Sequence, residues 1–223
     1  PTLIKPLAAA GYLTIKSRQV FRDPLGEPVD PDHPPELMPE QAAVVRAVEE
    51  NGTGFSPYLL SGVTGSGKTE VYMRLITRVI DGGGTAIVLV PEISLISQTE
   101  RRFRARFGSR ICVLHSALSQ GERADQWRKV SLRQASIVIG ARSAVFAPLN
   151  DIGIIIVDEE HDISYKQESG LRYNARDLAV VRAKFCDCPV ILGSATPSVQ
   201  SYQNVMAGRF KELKLTRRVN RHP

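Results

Sequence analysis

The chain has 223 residues, 43% hydrophobic and 23% charged, enough for one large domain or two small ones with their own cores. This composition argues against disorder over most of the length, and no apolar run approaches the roughly 18 residues of a membrane-spanning helix, so a membrane is not an expected partner. The 29 Lys plus Arg against 23 Asp plus Glu leave a charge of +6 and an isoelectric point near 9.4, which suits a polyanionic partner and equally an ordinary basic enzyme.

In chain order, Leu3 to Ala10 reads as a helix stopped by Gly11, followed by an alternating strand through Leu13, Ile15, Val20 and Phe21. Such a short piece cannot bury a core alone, so it is expected to dock elsewhere or to belong to a larger module; Pro1 fits a processed start or the edge of a fragment. Residues 24 to 39, PLGEPVDPDHPPELMP, carry six prolines, which lack backbone donors and favour extended chain, so a semi-rigid linker is expected over 24–38. PEQAAVVRAVEE follows as a helix with Pro39 in its first turn. Six near-continuous apolar runs then predict strands: PYLLSG, TAIVLVP, RICVLH, ASIVIG, IGIIIVDE and PVILGSA, with helices after most of them. Strands of that kind are buried on both faces, and their alternation with helices predicts a mostly parallel, doubly wound α/β domain from about residue 38 onward. Cys112, Cys186 and Cys188 have no zinc spacing and cannot all pair, and the start lacks a signal-peptide pattern, so reduced thiols in a cytoplasmic protein are expected.

Within this pattern Gly62-Val63-Thr64-Gly65-Ser66-Gly67-Lys68-Thr69 matches G-x-x-x-x-G-K-[ST] between a predicted strand and a predicted helix. In that context the glycines let backbone N–H groups curl around phosphates, Lys68 reaches the β- and γ-phosphates, and Thr69 offers a hydroxyl to Mg²⁺. A nucleotide cradle also needs a carboxylate at a neighbouring strand end. IGIIIVDEEH supplies Asp158 for the metal and Glu159 as a general base toward an attacking water, which favours ATP hydrolysis. Taken alone, the same acids could simply end a strand facing solvent.

DEEH, with His161 closing it, resembles the D-E-x-H box of superfamily-two helicases, and GSATPS at 193–198 resembles their S-A-T motif. The resemblance implies a hydrogen-bonded relay between His161 and Thr196; the hydroxyls of Ser194 and Thr196 could otherwise form a strand-end turn. LVPEISLISQ, HSALSQGERADQW, IVIGARSAVFAPL and DEEHDISYKQESGLRYNARDLAVVRA narrow it further, since they resemble the bacterial replication-restart helicases of the PriA family. That resemblance spans nearly everything from Leu37 to Tyr202. It implies a first RecA-like lobe over 39–216, Gln41 reading the adenine edge, and a connection toward a second lobe over 217–223. Residues 1–23 are similar to the last helix and wing strand of a winged-helix module.

SYKQESGLRYNAR interleaves Tyr165, Lys166, Arg172, Tyr173 and Arg176, a mixture suited to stacking bases and tracking phosphates, and the family carries an aromatic-rich loop here. Without the family it would read as a solvated loop. Arg142 and Ser143, after another strand, could hold a phosphate or merely form a capping turn.

The second lobe with its arginine fingers, and the zinc sites that the family adds there, do not occur in this sequence. The resemblance therefore implies the ATP- and Mg²⁺-binding motor lobe of a 3′–5′ DNA helicase, acting on single-stranded and forked DNA in replication restart and primosome assembly. By the same resemblance, single-strand-binding protein and other primosome proteins are its partners, and it works as a monomer near the nucleoid. The isolated lobe is expected to bind ATP and DNA weakly and to hydrolyse poorly. A nucleotide-gated DNA-binding module without turnover, and a translocase on duplex DNA, are the alternatives.

Overall fold

The apolar runs become the strands of one seven-stranded sheet. The computed structural model describes residues 4–14, 21–24, 29–91 and 93–219. In chain order the elements are α1 (Ile4–Ala9), α2 (Pro39–Glu49), β1 (Pro57–Gly62), α3 (Lys68–Asp81), β2 (Thr85–Leu89), α4 (Ile93–Phe107), β3 (Ile111–Leu114), α5 (Gln120–Ser131), β4 (Ile137–Gly140) and β5 (Ile152–Val157). A hairpin of β6 (Lys166–Gln167) and β7 (Tyr173–Asn174) comes next, then α6 (Ala175–Phe185), β8 (Val190–Ser194), α7 (Val199–Met206) and β9 (Lys211–Leu215).

The order across the main sheet is β3-β4-β2-β5-β8-β1-β9, and each pair of neighbours runs parallel. Successive side chains of a strand point to opposite faces. Along β5 this sends Ile154 and Ile156 into one core with α2, α3 and α4, while Ile155 and Val157 join a second core with α5 and α6. Both faces are covered, which is why these strands show no alternation with polar residues. One irregularity interrupts the register: Thr85 lies opposite Ile152 but Ala86 lies opposite Ile154, leaving Gly153 as the extra residue of a bulge. A Cβ there would come within 2.6 Å of Val79 Cγ1, so the bulge lets α3 sit against the sheet.

β9 is a correction to the six-strand expectation. Its sequence, KELKL, is an edge strand with only Leu215 fully buried, and its charges hide the strand from an apolar search while protecting the edge from further pairing. The N-terminal region also differs from expectation. α1 buries no residue, Leu13 and Phe21 are not in a strand, and the intervening 15–20 lie outside the described residues, so no winged-helix fragment is visible among those described.

The proline-rich segment and the residues just before it form a strap pinned to the parallel-sheet domain. Arg104 on α4 holds Asp23 with two hydrogen bonds of 2.6 and 2.9 Å, and Gln126 on α5 donates to the carbonyl of Arg22 at 3.2 Å. Further along, Asp32 N–H donates to the Ala105 carbonyl at 2.9 Å, and Arg106 joins Asp32 at 2.8 Å to Glu70 at 3.0 Å. Glu70 lies one residue after Thr69, so the strap is tied to the first turn of α3. Cys112 and Cys188 are buried and Cys186 is exposed; all three are free, and burial pushes the thiols of Cys112 and Cys188 up to about 12.

Candidate active site

The strand order reverses beside β1: the chain leaves it to build β2, β3 and β4 on one side and returns with β8 and β9 flanking it. Ligands of open α/β sheets bind at such switch points, beyond the carboxyl ends of the strands. Here that crevice is a cavity of about 960 Å³, walled by the 63–69 turn, Gln41, Asp158 and Glu159, with Pro35 and Met38 from the strap and Arg102 from α4 on one side.

The turn after β1 is a cradle built from glycine. Gly65 and Gly67 have φ of 81° and 82°, in the left-handed region where a side chain is strained. A Cβ on Gly67 would also stand 2.2 Å from Gln41 Nε2. The Lys68 side chain is 9% exposed, and its ammonium donates to the carbonyl of Gly62 at 2.9 Å while lying 3.7 Å from Glu159 Oε1. The buried Ser66 hydroxyl has no hydrogen-bond partner among the described residues. A concave turn lined with N–H groups at a helix start, with a poised ammonium and a spare hydroxyl, suits a polyphosphate.

Gln41 uses both ends of its amide inside the protein: Nε2 donates to the Ser66 carbonyl at 2.9 Å, and Oε1 accepts from Met38 N–H at 2.9 Å. It thus joins strap, α2 and cradle. The chain beyond β9 returns to the same place. Val219 N–H donates to the Gly65 carbonyl at 2.9 Å, and Glu40 accepts from the Thr216 N–H at 2.7 Å and its hydroxyl at 2.6 Å.

Asp158 and Glu159 follow β5 directly. Asp158 Oδ1 accepts from the Tyr72 hydroxyl at 2.9 Å, and the Asp158 carbonyl accepts from the Tyr165 hydroxyl at 2.6 Å. Burial pushes the Asp158 carboxyl above the usual range and Glu159 adds to this, while the Tyr72 hydrogen bond and the Lys68 charge oppose it. Glu159 has φ of 44°, strained for a residue with a side chain, as often occurs where a carboxylate must be aimed. Thr69 and Asp158 fit Mg²⁺, since both are hard oxygen donors and this ion takes few protein ligands when phosphate and water complete its shell.

The relay expected from the sequence comes together in space. His161 Nδ1 is 2.8 Å from Ser194 Oγ, His161 Nε2 is 3.4 Å from Thr196 Oγ1, and Thr196 N–H donates to Ser194 Oγ at 3.0 Å. Beneath it lies a cluster that sequence reading missed. Glu160, 1% exposed, accepts from Ser198 N–H at 2.7 Å, Ser198 Oγ at 2.9 Å and Ser201 Oγ at 2.7 Å, and pairs with Arg176 at 3.3 Å. Nothing in the DEEH tetrad distinguishes this inward acid from its two neighbours.

The 163–176 segment divides into buried and exposed members. Tyr165 is 1% exposed and Arg176 8%, so neither is placed to stack a base or track a phosphate; both are internal struts, a correction to the expectation. Arg142 is likewise engaged, donating to the carbonyls of Ser164 at 3.3 Å and Lys166 at 3.1 Å, so it supports the base of the hairpin. Lys166 and Arg172 are exposed on the β6–β7 hairpin, Lys166 paired with Glu168 at 2.9 Å. Tyr173 makes an edge contact with Phe146 at 5.2 Å between centroids, and Phe146 is 47% exposed. Ser143 is exposed nearby. Phe146 was legible only as a lone aromatic in ARSAVFAP.

Residues 38–205 match the DEAD/DEAH box helicase family. The chain belongs to that family. It is 46% identical over 220 residues to the replication restart protein PriA of Bacillus subtilis (strain 168), covering 97% of this chain and 27% of that protein. To PriA of Haemophilus influenzae it is 49% identical over 166 residues, 74% of this chain and 23% of that protein. The chain therefore spans about a quarter of the length of these curated relatives. Among solved structures it resembles RecG bound to a three-way DNA junction, with a TM-score of 0.63 and 22% identity over 84% of this chain and 25% of that one. The Pyrococcus furiosus Hef helicase domain gives 0.55 and 20% over 81% and 38%. At those identities the likeness is one of fold, a helicase-type parallel lobe. No helix among the described residues is long and apolar enough to cross a membrane.

Proposed function

We propose that this chain is the ATP-binding motor lobe of a DNA helicase acting in replication restart. The observation that carries the reading is a run of contacts from the crevice inward, Lys68 lying 3.7 Å from Glu159, Glu159 3.7 Å from His161 and His161 2.8 Å from Ser194, in a chain 46% identical to a PriA. The cradle holds the phosphates, with the Lys68 ammonium transferring from the Gly62 carbonyl to their oxygens. Thr69 and Asp158 hold Mg²⁺, which when bound neutralises the developing phosphate charge. Glu159 takes a proton from the attacking water as its oxygen bonds to the γ-phosphorus and the bond to the ADP oxygen breaks. Gln41 is the candidate for reading adenine, and an incoming base exchanges for its present partners.

The exposed Lys166 and Arg172 and the half-buried Tyr173, with Ser143 and Phe146 beside them, are the proposed contacts to single-stranded DNA. Forked DNA, single-strand-binding protein and primosome proteins are proposed partners of the whole protein, with 3′–5′ translocation. The test is ATP hydrolysis by this polypeptide and by the whole protein, each with and without single-stranded DNA. DNA-stimulated turnover in the whole protein supports the reading. ATP and DNA binding without turnover in either would favour a nucleotide-gated DNA-binding module.

A further inference from the structure

Tyr72 lies on α3, four residues past the cradle's Lys68, and its ring is 1% exposed. A tyrosine in the middle of an apolar helix face normally brings its hydroxyl to a partner, because a buried hydroxyl without one is costly. Here the partner is Asp158 Oδ1 at 2.9 Å, 86 residues away in sequence. Space for that hydroxyl comes from a third element. A Cβ on Gly193 of β8 would lie 1.7 Å from the Tyr72 oxygen and 3.5 Å from Asp158 Oδ1. Gly193 is not among the glycines with positive φ, so its backbone does not require glycine. Glycine within a strand weakens it and marks a close approach, and the approaching group here is the phenol.

We propose that Tyr72 is a positioning residue for the metal-binding carboxylate, and that Gly193 serves to admit its hydroxyl. The inference rests on the assignment of Asp158 as a Mg²⁺ ligand. By taking one lone pair of Oδ1, the phenol fixes the carboxylate plane and ties it to the same helix that carries Lys68 and Thr69. The cradle and the carboxylate then keep one spacing although they follow different strands. The main-chain side of Asp158 is held separately by the Tyr165 hydroxyl, so the Tyr72 bond governs the carboxylate itself.

The test is fluorescent ATP-analogue binding to the full-length protein, titrated with Mg²⁺ and repeated in EDTA, for wild type, Tyr72→Phe, Gly193→Ala and Asp158→Asn. Partners of metal ligands are typically worth 10- to 100-fold in metal affinity. Tyr72→Phe is expected to raise the Mg²⁺ concentration for half-maximal binding by about tenfold or more, leaving affinity in EDTA unchanged. Gly193→Ala, which keeps the phenol but displaces it, is expected to do the same. A Mg²⁺ dependence identical to wild type in Tyr72→Phe overturns the proposal, as does an equal loss with and without Mg²⁺, which would mark a purely structural role. Asp158→Asn separates the two levels: if it leaves the Mg²⁺ dependence intact, the metal assignment itself fails, whatever Tyr72 does.

Discussion

Arg176 and Glu160 form an ion pair at 3.3 Å in which the two side chains are 9% and 0% exposed. The pair joins the start of α6 to the segment after β5, and through Ser198 and Ser201 to the start of α7. Removing one partner of a buried pair leaves an uncompensated charge, which typically costs about 3–5 kcal/mol. Arg176→Ala is accordingly expected to lower unfolding stability by roughly 3 kcal/mol, near the bottom of that range because Glu160 keeps its three hydrogen bonds from Ser198 and Ser201. Urea unfolding measures this. A salt titration of oligonucleotide binding should show no change in slope, and a lowered slope in a variant of normal stability would return Arg176 to the DNA-contacting set.

The two tyrosines of the same segment should separate in the same way. Tyr173 stands beside exposed Phe146, whereas Tyr165 is buried with its hydroxyl on the Asp158 carbonyl. Tyr173→Ala is expected to weaken single-strand binding by about 1–3 kcal/mol, with little dependence on salt. Tyr165→Phe keeps the packed ring and should leave DNA affinity at the wild-type value. Fluorescence anisotropy with a labelled oligonucleotide decides it, and equal losses in both variants would contradict the division.

Lys166 and Arg172 carry the exposed positive charge of the hairpin. If each meets a phosphate, its replacement by alanine should lower the slope of log affinity against log salt by roughly 0.7, the single-strand value. DNA-stimulated ATP hydrolysis should fall while the basal rate stays near wild type. Unchanged slopes in both variants would mean that the hairpin does not contact DNA.

Lys68→Ala and Glu159→Gln should fail at different steps. Loss of the ammonium removes its contacts to phosphate, so hydrolysis is abolished; Lys68 and its partner Glu159 line an open cavity, so far-UV circular dichroism should keep the folded signal. Glu159→Gln keeps Asp158 and the cradle, so it should bind ATP in the presence of Mg²⁺ and turn over at least a hundredfold more slowly, in line with the roughly 10²–10⁴-fold contribution of a general base. Equilibrium binding of a fluorescent nucleotide beside single-turnover hydrolysis distinguishes the two. Binding lost in step with turnover for Glu159→Gln would assign Glu159 to holding the nucleotide.

Most of the sheet was legible because its strands are buried on both faces, and only near-continuous runs such as IGIIIV survive there. The cradle was legible because its glycines, lysine and threonine are consecutive, so local spacing carries the chemistry. β9 escaped because an edge strand needs little apolar surface, and its partner β1 lies about 150 residues earlier in the chain. The strap read as a semi-rigid linker since proline content reports backbone stiffness and says nothing of Arg104 and Arg106, which pin the chain through Asp23, just before it, and Asp32, within it. Within the site, residue type alone could not tell an outward acid from an inward one: Asp158, Glu159 and Glu160 are consecutive, yet they meet the Tyr72 hydroxyl, the lysine and a buried serine–arginine cluster in turn. Tyr72 and Gly193 illustrate the same limit, because a phenol on an apolar helix and a glycine in a strand acquire meaning only when packing brings them to one carboxylate. Sequence by itself determined which groups are available and how neighbours along the chain are spaced; which of them meet was decided by the parallel sheet, whose strand ends gather residues separated by about 150 positions.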